Sequence, residues 1–74
     1  MTETYLSGML ERAGLLLAIE RMLGRQYAEE PLMRERWVEL PNAVLDGCSP
    51  LDVMLEGEEG IRRVHGLLTR QTSA

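Results

Sequence analysis

Leu6, Met9, Ala13, Leu16 and Leu23 recur at three, four and seven residues, the period of one helix face. That spacing predicts a first helix over residues 4–23, a rod about 30 Å long at 1.5 Å per residue. In a chain of 74 residues a helix of this length leaves room for one domain only. Leu10 and Leu17 lie beside the stripe. With Leu15, Ala18, Ile19 and Met22 added, the second half becomes apolar round most of its circumference, which is the mark of a helix covered on two sides. One side is then met by the other helices. The second side is met either by another chain or by the same fold, if this helix is central in it. Leu10, Leu16 and Leu17 are accordingly the candidate residues of a homodimer contact. Gly24 is placed to end the helix in the left-handed conformation, with Arg21 and Arg25 near the negative end of its dipole.

The fold class that follows is all-α: about four helices, the first long, the third short and capped. Pro31 marks the second helix start, where a missing N–H goes unnoticed, and the pattern continues over residues 31–40 until Pro41 stops it. Met33, Trp37 and Leu40 form its inward face, with Trp37 expected in the core rather than in a ligand site. Residues 41–48 read as a turn-rich connector, with Asn42 able to bond its own backbone, Asp46-Gly47 suited to a tight turn, and Val44 and Leu45 tucked beneath. Ser49-Pro50-Leu51-Asp52 is the clearest local signal: an N-cap serine, a proline in the first position, and a carboxylate three after the cap. The third helix is expected over residues 50–56, carrying Leu51, Met54 and Leu55 and stopping at Gly57. The fourth spans 58–71, acidic at its start with Glu58 and Glu59 and basic at its end with Arg70, and the tail from Gln71 to Ala74 is expected to fray.

Composition narrows the function. Hydrophobic residues make up 45% of the chain and charged residues 27%, the balance of a folded protein. Aromatics are scarce, at Tyr5, Tyr27 and Trp37 with no Phe, so the core is built from Leu, Ile, Val and Met. Net charge is −4, every cation is Arg, and the chain divides evenly at Pro41, which opposes a general nucleic-acid footprint. Cys48 is the one cysteine, so no intrachain disulfide or CxxC metal site exists, and it is expected as a small buried hydrophobe. His65 is the one histidine, at the edge of the fourth helix's apolar face, and is read as interfacial rather than as a ligand or base. Glu56, Glu58 and Glu59 suit a helix start and are not read as paired acid–base carboxylates. No phosphate-binding glycine loop, nucleophile elbow or zinc motif occurs. No catalytic, metal or cofactor residues are therefore assigned, and the chain is expected not to be an enzyme. No apolar run approaches a membrane span and no basic leader precedes one, so a cytoplasmic protein is expected.

On the fourth helix, Ile61, Val64 and Leu68 point one way, with Leu67 at the margin. Arg62, Gly66 and Thr69 align on the opposite face, with Arg63 and Arg70 beside them. A mid-helix glycine costs about 1 kcal/mol relative to alanine, so Gly66, and Gly60 before it, are expected where another backbone comes close. The alternative is a solvated face with two tolerated glycines.

The order of Trp37, Pro41-Asn42, Leu45, Gly47, Ser49-Pro50-Leu51-Asp52, Gly60, Val64 and Leu67-Leu68 resembles the Xre/MbcA/ParS-like antitoxin toxin-binding domain. The upstream stretch Ala18-Ile19-Glu20 through Gly24 resembles that domain's opening helix, so the likeness covers about three-quarters of the chain, from Leu15 onward. The resemblance implies a bacterial type II antitoxin module, dimeric, whose C-terminal part covers the active-site entrance of a RES-type, NAD⁺-degrading toxin or a related ADP-ribosylating one. It assigns Arg62, Arg63, Gly66, Thr69 and Arg70 to the toxin-facing surface. Three departures accompany it. Too few residues precede the first helix for the family's usual DNA-binding domain, the stretch from Gly24 to Trp37 is longer than the usual turn, and the glycine common after the last helix is missing. A homodimeric adaptor that has lost its toxin is the alternative, and a nucleic-acid-associated role through the arginines is a third.

Overall fold

The computed structural model describes the backbone of residues 2–72 and the side chains of residues 6–71. Four α-helices run in the order α1 (Thr2–Gln26), α2 (Pro31–Trp37), α3 (Pro50–Met54) and α4 (Glu58–Thr72), with a 3₁₀ turn at Ala43–Leu45 between α2 and α3. No strand occurs among the described residues. The fold is all-α, as the apolar period predicts. α1 packs chiefly against α4, α4 also holds α3, and α2 leans on α1.

Each boundary has a local cause. α1 continues through Gly24 to Gln26, three residues past the expected stop, because Gly24 stays out of the left-handed region and the Tyr27 amide still bonds the Leu23 carbonyl at 2.9 Å. α2 ends at Trp37 rather than at residue 40. Its last turn tightens instead, Glu39 and Leu40 both donating to the Arg36 carbonyl, and the Val38 carbonyl turns to accept the Leu51 amide at 2.8 Å. That bond latches the end of α2 to the start of α3. Ser49 caps α3 through its hydroxyl, which accepts the Asp52 amide at 3.1 Å, and Pro50 occupies the first turn. α3 itself stops at Met54, and two tight turns carry the chain to Gly57, whose φ of 130° suits glycine alone. α4 runs one residue past the expected end, to Thr72. Of the tail expected to fray, Gln71 and Thr72 instead continue the helix, and Ser73 and Ala74 lie outside the described residues.

Ile19 and Leu23 of α1, Trp37 of α2, Leu45 of the 3₁₀ turn, Val53 of α3, and Ile61, Val64, Leu67 and Leu68 of α4 form the buried core. Val64 and Leu68 are completely buried. α3 and α4 meet backbone to backbone at Gly60: a methyl group there would overlap the Val53 carbonyl oxygen. Gly60 thus answers the expectation of a close approach, and the neighbour it admits belongs to its own chain.

Leu40 and Cys48, expected inward, face out, and so do several apolar residues whose orientation the pattern left open. On α1 the core side is Ile19 and Leu23 with Leu15 and Met22, whereas Leu6, Met9, Ala13 and Leu16 are exposed. A helix apolar round its circumference offers two faces of the same period, and α4 selects the one through Ile19. Leu40 is exposed because α2 ends before it, leaving Trp37 as the inward anchor. On α3 the short helix turns Pro50 and Val53 inward, so Leu51 and Leu55 point to solvent. Cys48 is exposed, since Leu45, three residues before it, and Ser49, just after it, take the inward positions and its own carbonyl bonds the Asn42 amide at 3.0 Å.

Candidate partner-binding surface

Residues 42–48 form a loop closed on itself. The Asn42 carbonyl accepts from Leu45 at 3.0 Å and from Gly47 at 2.9 Å, and the Asn42 side-chain oxygen accepts the Val44 amide at 2.9 Å. Asp46 and Gly47 complete the turn at φ 58° and 84°, the region Asp tolerates and Gly favours. Consecutive residues of one tight turn cannot both face inward. Leu45 takes the core side, so Val44, expected beneath the loop, stands 61% exposed on its outer edge. Nothing in the apolar pattern around Val44 separates it from Leu45; the Asn42 cap, which fixes the turn's orientation, is the signal that would have.

Between this turn and α4 lies an open notch of about 270 Å³. Val44 and Leu45 line one side, and Arg62, Arg63, Gly66 and Arg70 line the other. The volume falls just below the roughly 300–1,000 Å³ typical of small-molecule sites, and no carboxylate lines the notch. Gly66 forms a gap in its wall: a methyl built there meets no atom within 4 Å. Arg63 and Arg70 stand one turn to either side of that gap, both exposed. Arg63 has no ion-pair partner among the described residues.

The five residues assigned to the toxin-facing surface do not share one role in the geometry. Arg62 reaches across to α1, with its guanidinium 3.1 Å from Glu58 and 3.4 Å from Glu11, while Arg12 approaches Glu58 at 3.9 Å. Half-exposed ion pairs of this kind contribute about 0–1 kcal/mol each, so they orient Arg62 more than they hold the fold. Thr69 turns its hydroxyl back onto its own helix, donating to the His65 carbonyl at 2.8 Å, with the Met22 sulfur 3.8 Å away. Arg63, Gly66 and Arg70 line the notch, and Arg62 borders it.

On α1 the exposed apolar residues form a second surface. Leu10 is 72% exposed, Leu17 55% and Leu16 44%, with Leu6 and Met9 in line. None of the helices is long and apolar enough to cross a membrane. No group of three or more His, Cys, Asp or Glu side chains among the described residues converges as metal ligands would.

Residues 23–72 match the family model of the antitoxin Xre/MbcA/ParS C-terminal toxin-binding domain. The match includes the notch and every residue of α4's outer face, and it excludes the exposed α1 stripe, which lies wholly before Leu23. No curated protein and no solved structure matches the chain.

Proposed function

The chain belongs to the antitoxin Xre/MbcA/ParS C-terminal toxin-binding domain family, and from that membership we propose that it neutralises a bacterial toxin by occlusion rather than by chemistry. The toxin is of the RES type, which degrades NAD⁺, or a related ADP-ribosyltransferase. The outer face of α4, with Arg62, Arg63, Gly66, Thr69 and Arg70, is laid over its active-site entrance. One observation carries the reading: Gly66 interrupts α4 at a place where this chain brings nothing near it. A glycine there costs helix stability and leaves space that only another molecule can use. Arginines on both sides suit carboxylates or phosphates at a nucleotide pocket's mouth, because the guanidinium offers paired donors.

The 74 residues act as one domain in the bacterial cytoplasm, paired with a second copy through α1. The stripe favours that pairing by its near-symmetry about Ala13. Leu10 and Leu16 lie three residues before and after it, Met9 and Leu17 four, so an antiparallel α1 pair sets leucine against leucine and methionine against leucine around a small centre. The same stripe supports the alternative of a homodimeric adaptor without a toxin.

Co-expression with a RES-type reading frame adjoining this gene tests the reading. A tight complex with NAD⁺ consumption suppressed is the expected outcome. A toxin that stays fully active beside an excess of the folded chain sinks it. For the dimer, Leu16→Glu or Leu17→Glu converts the species seen by sedimentation to a monomer with helicity unchanged. An unaltered dimer removes α1 from the contact.

A further inference from the structure

We infer that the notch between the 3₁₀ turn and α4 is the anchoring subsite of the toxin contact, and that it takes an acidic side chain flanked by an apolar one from a protein segment of the toxin. This rests on the toxin-binding reading above and adds the chemistry of the partner. Three features of the notch carry it. First, its charge opposes that of the whole chain: net charge is −4, yet all three arginines after Pro41 line this one notch and none of the five acids after Pro41 does. An aspartate or glutamate entering it meets Arg63 and Arg70 at once, with Arg62 at the border. Second, its floor is apolar, with Leu45 and Leu67 at the base and Val44 standing out on the rim. An exposed valine on a loop held by its own hydrogen bonds contributes contact area with little ordering cost, which is how a small surface gains affinity. Third, Gly66 lets the incoming backbone approach α4 between the two arginines. A basic segment is repelled, and a wholly apolar one buries the Arg63 guanidinium without an ion-pair partner, so the acidic–apolar pair is the occupant that satisfies both walls.

The test uses the full chain and the co-expressed toxin, with affinity measured by calorimetry for wild type, Val44→Asp, Arg63→Glu and the α2 control Leu32→Glu, an exposed position away from both the notch and the α1 stripe. Circular dichroism and melting establish that each variant is folded, as their surface positions predict. Expected are losses of about 30-fold or more for Val44→Asp and for Arg63→Glu, with Leu32→Glu near wild type. A photo-crosslinking residue placed at Ala43, beside the notch, should join a toxin peptide containing Asp or Glu next to an apolar residue. Wild-type affinity retained by both notch variants overturns the subsite while leaving the toxin-binding reading intact. Crosslinks to a basic or wholly apolar toxin segment, or to a second copy of this chain, overturn it equally. No binding by the wild-type chain overturns the toxin-binding reading and the subsite together.

Discussion

Gly60 and Gly66 lie on the same helix, six residues apart, and meet opposite surroundings. Gly60 is buried, and its missing side chain is explained within the chain by the carbonyl of Val53. Gly66 is half-buried beside open space, and nothing in the chain explains it. The pair teaches that a glycine in mid-helix is a demand for closeness whose source must be located before a role is assigned. On the Gly60 side, α4 serves the fold. On the Gly66 side, under the proposed function, it serves a partner.

The sharpest way to break this contrast is Gly60→Ala. The overlap is with backbone and not with a flexible side chain, so α3 must move. A loss of about 3 kcal/mol or more in denaturant unfolding is expected, and a variant as stable as wild type would show that α3 and α4 are not in backbone contact. Next in size is Ser49→Ala, which removes the cap from α3 on the same inward side and costs about 1 kcal/mol. Its midpoint should fall while the slope of the denaturant curve stays constant. Gly66→Ala reverses the sign. With room for the methyl and no left-handed backbone to strain, the fold gains about 0.5–1 kcal/mol, while affinity for the toxin drops. Stabilisation without loss of binding would make Gly66 an ordinary tolerated residue. Smallest is Arg62→Ala, expected to change stability by about 0.5 kcal/mol or less because its ion pairs with Glu11 and Glu58 are half-exposed. A much larger loss would mean that Arg62 belongs to the fold's side of α4.

Those two sides also mark how far the residues alone could be read. Signals that act within a few positions came through well. Ser49-Pro50 located α3's start, Asp46-Gly47 the tight turn, and Ile61, Val64 and Leu68 the inward face of α4. What escaped was orientation. The stripe through Leu6, Met9, Ala13 and Leu16 has the same period as the buried one through Ile19 and Leu23, and only the docking of α4, distant in the chain, decides between them. The facing of Leu51 and Leu55 stayed open for a related reason: in a helix of five residues, a single-residue rotation exchanges inside for outside. At the candidate surface, the arginines and Gly66 could be read from α4's own period. Val44 could not, because its neighbours across the notch lie some twenty residues further along the chain.

The segregation of charge around the notch has a consequence for how quickly a complex forms, separate from how long it lasts. A chain that is acidic overall, with its second-half arginines on one face, has a lopsided field that turns that face toward a negative partner before contact. Encounter with an acidic toxin surface is then fast in dilute buffer. It slows as added salt shortens the reach of the field to about 8 Å near physiological ionic strength, while dissociation, set in the proposed complex by contacts at Val44 and Gly66, is expected to change far less.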